Sequence, residues 1–403
     1  MMLTLIILIV VLLYAVYRVL YRGYLPTSRH TSPDASGLHT LAKVWPDSPP
    51  LLLPLLPPRG SGVYARCSAR VTLADGTSTL LTASRASNFT FCSDREFLPM
   101  WNAVQSHVLL AWEGIHAVLA IPSTWSAMDL GFGLEDARIL PLSAGFVLLL
   151  CTGRRPNTKL VRMVVVVVEL PTEQPQDSRL HPVSITFLNA EDTGAPPRHE
   201  KNWMGYLHKK DLYLIRFVSP QETVSVPLQL LREAVGVQSV DAITELRLSA
   251  ETDPLHSNEA RGSTVLQDWV WKGQPVLLGV VHWRVESLLG LEFPMAFLLT
   301  EATPPFRILR ISQRFKLKPS VGVFTFVVGL RVEEDSLVLD MGIDDCESAS
   351  VALSQKRVIA LLESASTSKA IFDVVDSGSL GGAHNLLCVK PNPTPRYKGD
   401  VLY

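Results

Sequence analysis

The feature that most limits how this chain can fold is a long succession of short apolar runs with almost no helical periodicity between them. From residue 61 onward the segments HVLLAWEG, HAVLAIP, GFVLLLCTG, KLVRMVVVVVEL, PVSITFL, LYLIRFV, PVLLGVVHWRV, AFLLTEA, FRILRIS, VFTFVVGLRV and SLVLDMG follow one another. Each is rich in β-branched or aromatic side chains and is bounded by Gly, Pro, Asp or Asn, which reads as β-strand. Helical spacing is confined to two stretches, PLQLLREAVG (227–236) and LSQKRVIALLE (353–363). The body is therefore expected to be all-β.

Polar signatures interrupt the strands at comparable intervals: TASRASNFTF (82–91), LEDARI (134–139), HEKNWMGY (199–206), NEARGSTV (258–265) and MGIDDCES (341–348). Five such breaks, each opening or closing a few strands, predict radial repetition of small sheets, the arrangement of a five-bladed β-propeller. In that fold, loops from every blade meet at one end of a central channel, so residues far apart in sequence can converge. A two-sheet sandwich is the alternative, and it suits a shorter domain better.

The N-terminal part is of another kind. Residues 1–17, MMLTLIILIVVLLYAVY, carry no charge, and the apolar character continues around Arg18. A spanning helix needs roughly 20 apolar residues and lets a terminal arginine snorkel. The segment lacks the basic start and small-residue cleavage site of a signal peptide, so residues 1–25 are expected to form a transmembrane anchor. Residues 26–60 are rich in proline, which fixes φ and lacks an amide donor, and are expected to form an extended stem. Residues 61–403 are then the propeller. Orientation is left open by opposing signals. Arg18, Arg22 and Arg29 follow the span, which favours a cytosolic body. The sequon Asn88-Phe89-Thr90 has meaning only in the secretory lumen. The expected location is a single-pass membrane protein of the Golgi or ER with a lumenal body.

Composition removes several functions. The charge is balanced, with 37 Lys and Arg against 38 Asp and Glu, so no basic surplus points to nucleic acid. The chain has no CxxC pair, HExxH, GxxxxGK[ST] or GxGxxG. No metal-ligand spacing occurs, and no metal or bound cofactor is expected. Cys67 and Cys92 could pair in an oxidising compartment, with buried free thiols as the alternative.

Taken in order, the polar signatures resemble those of the five-bladed β-propeller mannoside phosphorylases and the related protozoan β-1,2-mannosyltransferases. LEDARI followed by a strand and CTG is similar to their Glu-Asp-Pro-Arg strand, with Ala137 in place of Pro. EKNWMGYLHKKDLYLIRFVSP resembles their Lys-Asn motif, and NEARGSTV…GVVHWR resembles the blade that pairs a small-residue turn with a histidine strand. PPFRILRISQRF and VVGLRVEEDSLVLDMGIDDCESASVAL resemble the last blade. The similarity spans roughly residues 62–365.

The resemblance makes Asp136 the catalytic acid or base. Glycosyl transfer needs a group that exchanges a proton with the glycosidic or accepting oxygen while the anomeric carbon becomes oxocarbenium-like. A carboxyl group does so when burial or a neighbouring charge tunes it. Adjacent strand residues face opposite ways, so one of Glu135 and Asp136 should face the channel while the other supports the blade. Arg138 shares the face of Asp136 and can hold substrate or orient the acid. Arg85, Asn88, Glu135, Arg138, Trp203, Arg261, Asp344 and Asp345 are the candidate sugar contacts, with Asp253 and Glu259 as further loop carboxylates. A glycosylated Asn88 would not line a pocket, so those two readings exclude each other. Arg154, Arg155, Asn157, Lys201, Asn202 and His282 are the candidates for a phosphate or diphosphate, where fixed guanidinium and ammonium groups are wanted.

The combination predicts a membrane-anchored inverting glycosyltransferase. It would be a β-mannosyltransferase that moves a hexose from a sugar nucleotide such as GDP-mannose to a glycan acceptor. A phosphorylase using inorganic phosphate, or a hydrolase of the same fold, is the alternative, and a non-catalytic glycan-binding propeller is a third. A hydrolase needs a second carboxylate to activate water, about 6.5–9.5 Å from the acid.

Overall fold

The computed structural model describes residues 62–87, 106–120, 133–154, 161–175, 178–192, 201–218, 221–233, 244–250, 260–287, 290–317, 325–343, 347–364 and 372–374. The expected anchor and stem, residues 1–60, lie outside them. Among the described residues no helix is long and apolar enough to cross a membrane.

The described chain is an all-β five-bladed propeller. Blade 1 is built from β1 (Gly62–Thr72), β2 (Ser78–Ser87), β3 (Ser106–Trp112) and β4 (Ile115–Leu119). Blade 2 starts with β5 (Leu134–Ser143), β6 (Phe146–Arg154) and β7 (Val161–Glu169). The chain then crosses as β8 (Arg179–Leu180) to pair in parallel with β4 of blade 1, and returns as β9 (Ser184–Asp192). Blade 3 is β10 (Met204–His208), β11 (Asp211–Val218) and β12 (Gln221–Pro227), followed by helix α1 (Leu228–Glu233). After it β13 (Thr244–Ala250) goes back to the edge of blade 2, parallel to β9.

Blade 4 carries β14 (Arg261–Gly262) and β15 (Gln267–Trp271), both paired with β16 (Gln274–His282). A small hairpin of β17 (Val285–Ser287) and β18 (Gly290–Glu292) follows, then β19 (Met295–Glu301), β20 (Ile308–Ile311) and β21 (Phe315–Leu317). Blade 5 is β22 (Thr325–Val332), β23 (Ser336–Ile343) and β24 (Glu347–Ser354). Helix α2 (Gln355–Glu363) and β25 (Phe372–Val374), which pairs in parallel with β21 of blade 4, complete the described chain. The two helices lie within the two stretches of helical spacing. Three blade edges, those of blades 1, 2 and 4, are thus covered by a strand from a later part of the chain, which occupies amide groups an open edge would leave unpaired.

The long valine run explains how the blades stack. Strand β7 lies in the middle of blade 2 between β6 and β9, and its two faces are covered by blades 1 and 3; a strand buried on both faces reads as continuous apolar sequence. Val164, Val166 and Val168 pack with Leu149, Cys151 and blade 1 residues such as Leu81 and Leu110. Met163, Val165 and Val167 turn the other way, onto Trp203, Leu212 and Leu214 of blade 3. Blade 4 repeats the pattern. Leu277 and Val281 meet Met204 and Ile215 of blade 3, while Leu278 and Val280 meet Leu337 and Leu339 of blade 5. Gly262 allows a close approach of blades 3 and 4, because a Cβ there would run into Met204 and lie 2.7 Å from the Asn202 carbonyl oxygen.

The seam between blades 5 and 1 is different, adding a buried polar cluster to the apolar contacts of Val328 and Phe326 with blade 1. Ser68 of β1 donates to Asp340 Oδ2 on β23, and Ser350 of β24 donates to Asp340 Oδ1 at 2.6 Å. Arg66 Nη2 donates to the Ser350 hydroxyl at 2.9 Å, and the Arg66 amide to Ser348 Oγ at 3.3 Å. Asp340 is fully buried, so the ring is closed by a hydrogen-bonded carboxylate.

Candidate active site

The first strands of blades 1, 2, 4 and 5 are irregular. In β5 the pairing with β6 runs from Glu135↔Thr152 to Arg138↔Leu150, leaving Asp136 and Ala137 opposite a single residue. In β1 a similar shift falls between Tyr64 and Cys67, and in β22 between Val327 and Gly329. Blade 4's first strand is broken between Gly262 and Gln267. Bulges re-aim side chains and collect beside functional sites. At the β5 bulge Asp136 sits in the left-handed region, with φ +51°, and Asn202 just before β10 does so with φ +63°. Asp and Asn are the non-glycine residues that tolerate this conformation most readily, at a modest cost that the surroundings must offset.

Because of the bulge, the simple alternation of Glu135 and Asp136 does not apply. Both side chains are half-buried and both lie beside Arg85 on β2. Arg85 Nη2 donates to Glu135 Oε1 at 2.5 Å, and its Nη1 is 3.9 Å from Asp136 Oδ1. Ser106 at the start of β3 adds a donor to the same Glu135 oxygen at 3.3 Å, and accepts from Arg85 Nε at 3.1 Å. Glu135 is thereby tied to blade 1, whereas Asp136, 17% exposed at its side chain, is the more open carboxylate.

Arg138 does not share a free face with Asp136. Its guanidinium is wholly buried and joins three blades. Nη1 donates to the Asp136 carbonyl at 3.0 Å, Nη2 to Asn202 Oδ1 at 3.0 Å, and Nε to the Ser263 carbonyl at 2.5 Å. With no exposed surface it lines no open face and instead fixes the backbone of Asp136. Ser263 continues the chain of bonds, its hydroxyl lying 2.8 Å from His282 Nδ1.

The cations around the carboxylates come from four blades. Burial pushes the Lys201 ammonium pKa down, Asp136 and Glu135 draw it up, and Arg284 and Arg85 push it down again. Burial, followed by Arg138, Lys201 and Arg261, holds His282 well below the ordinary histidine value, so the ring is neutral near pH 7. Phe293 and Phe326 set their rings edge-on to His282, with centroids 5.8 and 4.8 Å away. Arg261 pairs with His282 across β14 and β16, its guanidinium 4.6 Å from the ring centre of Phe217. Arg216 covers the same ring at 4.8 Å and is held by Glu222 at 3.0 Å.

Arg85, Glu135, Asp136, Arg138, Lys201, Asn202, Arg261 and His282 are therefore brought into one electrostatic neighbourhood. Trp203 is not a sugar contact here: it is fully buried in the core between blades 2 and 3, with no free face. Asn88, Arg155, Asn157, Asp253, Glu259, Asp344 and Asp345 lie outside the described residues, and Arg154 is described only in its backbone, as the last residue of β6. Cys67 is buried with a free thiol, while Cys92 lies outside the described residues. Arg284, Ser106 and Ser263 belong to the neighbourhood but were not singled out by sequence. Arg284 stands two residues beyond His282 in the same VVHWR run, which was the available signal.

No protein-family model and no curated protein matches the chain. Solved structures are similar at low identity. A β-1,2-mannobiose phosphorylase from Listeria innocua, in complex with β-1,2-mannobiose, is 13% identical with a TM-score of 0.45, over 76% of this chain and 94% of that one. A glycosyl hydrolase from Bacteroides ovatus is 12% identical with a TM-score of 0.43, over 74% and 85%. An exo-1,5-α-L-arabinanase from a bovine ruminal metagenomic library is 9% identical with a TM-score of 0.38, over 72% and 92%. At these values the likeness carries no inference about the chemistry of this site.

Proposed function

We propose that this protein breaks or makes a glycosidic bond with an anionic co-substrate, with Asp136 moving the proton. The observation that carries this reading is the grouping of the half-buried Asp136 carboxylate with cations from three blades, Arg85, Lys201, Arg284 and Arg261, which outnumber the carboxylates Asp136 and Glu135. A site whose co-substrate was water would have no use for that surplus. Phosphate, by contrast, needs fixed guanidinium and ammonium donors near the anomeric carbon.

In the phosphorolytic direction, an oxygen of phosphate attacks the anomeric carbon from one face as the bond to the glycosidic oxygen breaks on the other. The carboxyl of Asp136 gives its proton to the departing oxygen, leaving a sugar 1-phosphate and a free hydroxyl on the aglycone. The cations offset the charge on the incoming phosphate, and the Arg138 bonds hold the carboxylate in place. Glu135 is bound by Arg85 and Ser106 and does not serve as the free base that hydrolysis requires. That the sugar is mannose follows only from the sequence resemblance.

The second reading is transfer from a sugar nucleotide, in which Asp136 takes the acceptor's proton and the cations hold the departing diphosphate. It is favoured by the uncharged segment 1–17 and the proline-rich stretch after it, a layout of anchor, stem and body that suits an enzyme of the secretory membranes.

The full chain incubated with β-mannosides and inorganic phosphate, and separately with GDP-mannose and glycan acceptors, tests both. Phosphate-dependent release of a sugar 1-phosphate supports the first reading, and acceptor-dependent release of GDP the second. Release of free sugar without phosphate contradicts both.

A further inference from the structure

We propose that Ser263 is a positioning residue whose hydroxyl holds His282 as the neutral tautomer protonated at Nε2, so that the ring donates a hydrogen bond to an oxygen of the anionic co-substrate. The inference rests on the anion-binding reading above and adds to it the way a histidine in an apolar strand becomes a donor.

The burial and the other bonds of Ser263 favour one direction for the Ser263–His282 bond. Ser263 is fully buried between β14 and β15. Its amide donates to the Val280 carbonyl at 2.8 Å, and its carbonyl accepts from Arg138 Nε. Among the described residues its hydroxyl has one partner, His282 Nδ1. A buried hydroxyl with one partner is more stable when it places its proton on that partner, because otherwise the buried O–H is left unsatisfied. Ser263 therefore donates, and Nδ1 is the acceptor.

An imidazole that accepts at Nδ1 and remains neutral carries its proton at Nε2. Neutrality is imposed by what surrounds the ring. It is buried, and Arg138, Lys201 and Arg261 all disfavour the imidazolium. Phe293 and Phe326 flank it edge-on and supply no carboxylate. Nε2 has no partner among the described residues, which leaves its N–H for a ligand. A neutral donor suits a site already crowded with guanidinium groups, since a further positive charge there would repel its neighbours. Ser263 thus links two parts of the site. Through its carbonyl it meets the arginine that holds the acid, and through its hydroxyl it sets the proton on the ring.

The test is a long-range proton–nitrogen correlation spectrum of the full chain labelled at histidine nitrogens, recorded at pH 7. The His282 signals are identified by their loss in His282→Gln. The expected pattern has Nε2 protonated and Nδ1 bare, and addition of inorganic phosphate should shift the Nε2 signal. Ser263→Ala should give a mixture of tautomers and a loss of phosphate affinity on the order of tenfold, while Ser263→Thr keeps the wild-type pattern. A wild-type ring protonated at Nδ1, or one unchanged in Ser263→Ala, overturns the proposal. The wild-type spectrum decides the matter even if Ser263→Ala does not fold. If the expected tautomer is found but phosphate and GDP-mannose both fail to shift it, the anion-binding reading fails while the role of Ser263 in setting the tautomer stands.

Discussion

Arg138, on the first strand of blade 2, donates to Asn202 Oδ1 at the entry of blade 3, 3.0 Å away and out of contact with solvent. Asn202 has a left-handed backbone, and so does Asp136, whose carbonyl the same guanidinium holds. One side chain thus stabilises the two least favourable backbone conformations of the site. It also ties both to the Ser263 carbonyl of blade 4.

Replacing Arg138 by Met keeps much of the volume but strands three acceptors. Each buried acceptor left unpaired costs about 1–3 kcal/mol, so a loss of roughly 3 kcal/mol or more is expected in denaturant unfolding. Arg138→Lys should recover only part of it, since an ammonium cannot span the three directions of the fork. A variant as stable as the wild type would contradict this placement.

Arg85 and Glu135 are paired at 2.5 Å with side chains 12% and 13% exposed. Charge-assisted bonds shielded to this degree couple by about 1–3 kcal/mol. A double-mutant cycle of Arg85→Gln and Glu135→Gln, read by thermal unfolding, should return a coupling in that range. Additive effects would mean that the pair is solvated and that Glu135 is free for other work.

His282 makes stability depend on pH in a defined direction. Its ordinary value is 6.5, and in the folded protein it lies well below that. Above pH 6.5 both states are neutral and the group adds no slope. Below it the unfolded chain binds a proton that the native ring refuses, so stability falls as pH drops, by up to about 1.4 kcal/mol per pH unit. His107, also lowered by burial, adds to the same slope. Unfolding curves between pH 7 and 5 should be flatter for His282→Gln than for the wild type. An unchanged slope would show that the ring is protonated in the native state.

The polar seam that closes the ring is expected to be a point of weakness. Asp340→Ala leaves the Ser68 and Ser350 hydroxyls without their acceptor and opens a cavity between blades 5 and 1. A destabilisation of about 2–4 kcal/mol is expected, with amide exchange rising first in β1 and β24. If exchange rose evenly over all blades, the seam would not be the first part of the ring to open.

The strands were readable because apolar, β-branched residues bounded by turn formers can do little else, and the five polar breaks marked the blades. The ring of sheets follows from that pattern, while the choice of Arg85, Asp136, Lys201 and His282 as residues that meet in it came from the resemblance of the polar breaks. What could not be read depends on single-residue geometry. The β5 bulge has no signature in LEDARI, so the alternation rule placed Arg138 on the face of Asp136 instead of in the interior. Trp203 follows the Lys-Asn pair directly, yet the start of β10 turns its ring into the core. The returning strands β8, β13 and β25 are short or distant in sequence from their partners. Asp340 stands inside SLVLDMG, where one carboxylate in an apolar run does not say which blade supplies its donors.

The most direct measurement is the rate of phosphate-dependent sugar 1-phosphate release by the wild-type chain and by Asp136→Asn, compared at equal folded fraction. The amide keeps the size of the side chain and removes its exchangeable acid proton, so the rate should fall by roughly 10²–10⁴-fold while thermal stability changes little. An Asp136→Asn protein that retains the wild-type rate would contradict the assignment of the proton transfer to this carboxyl.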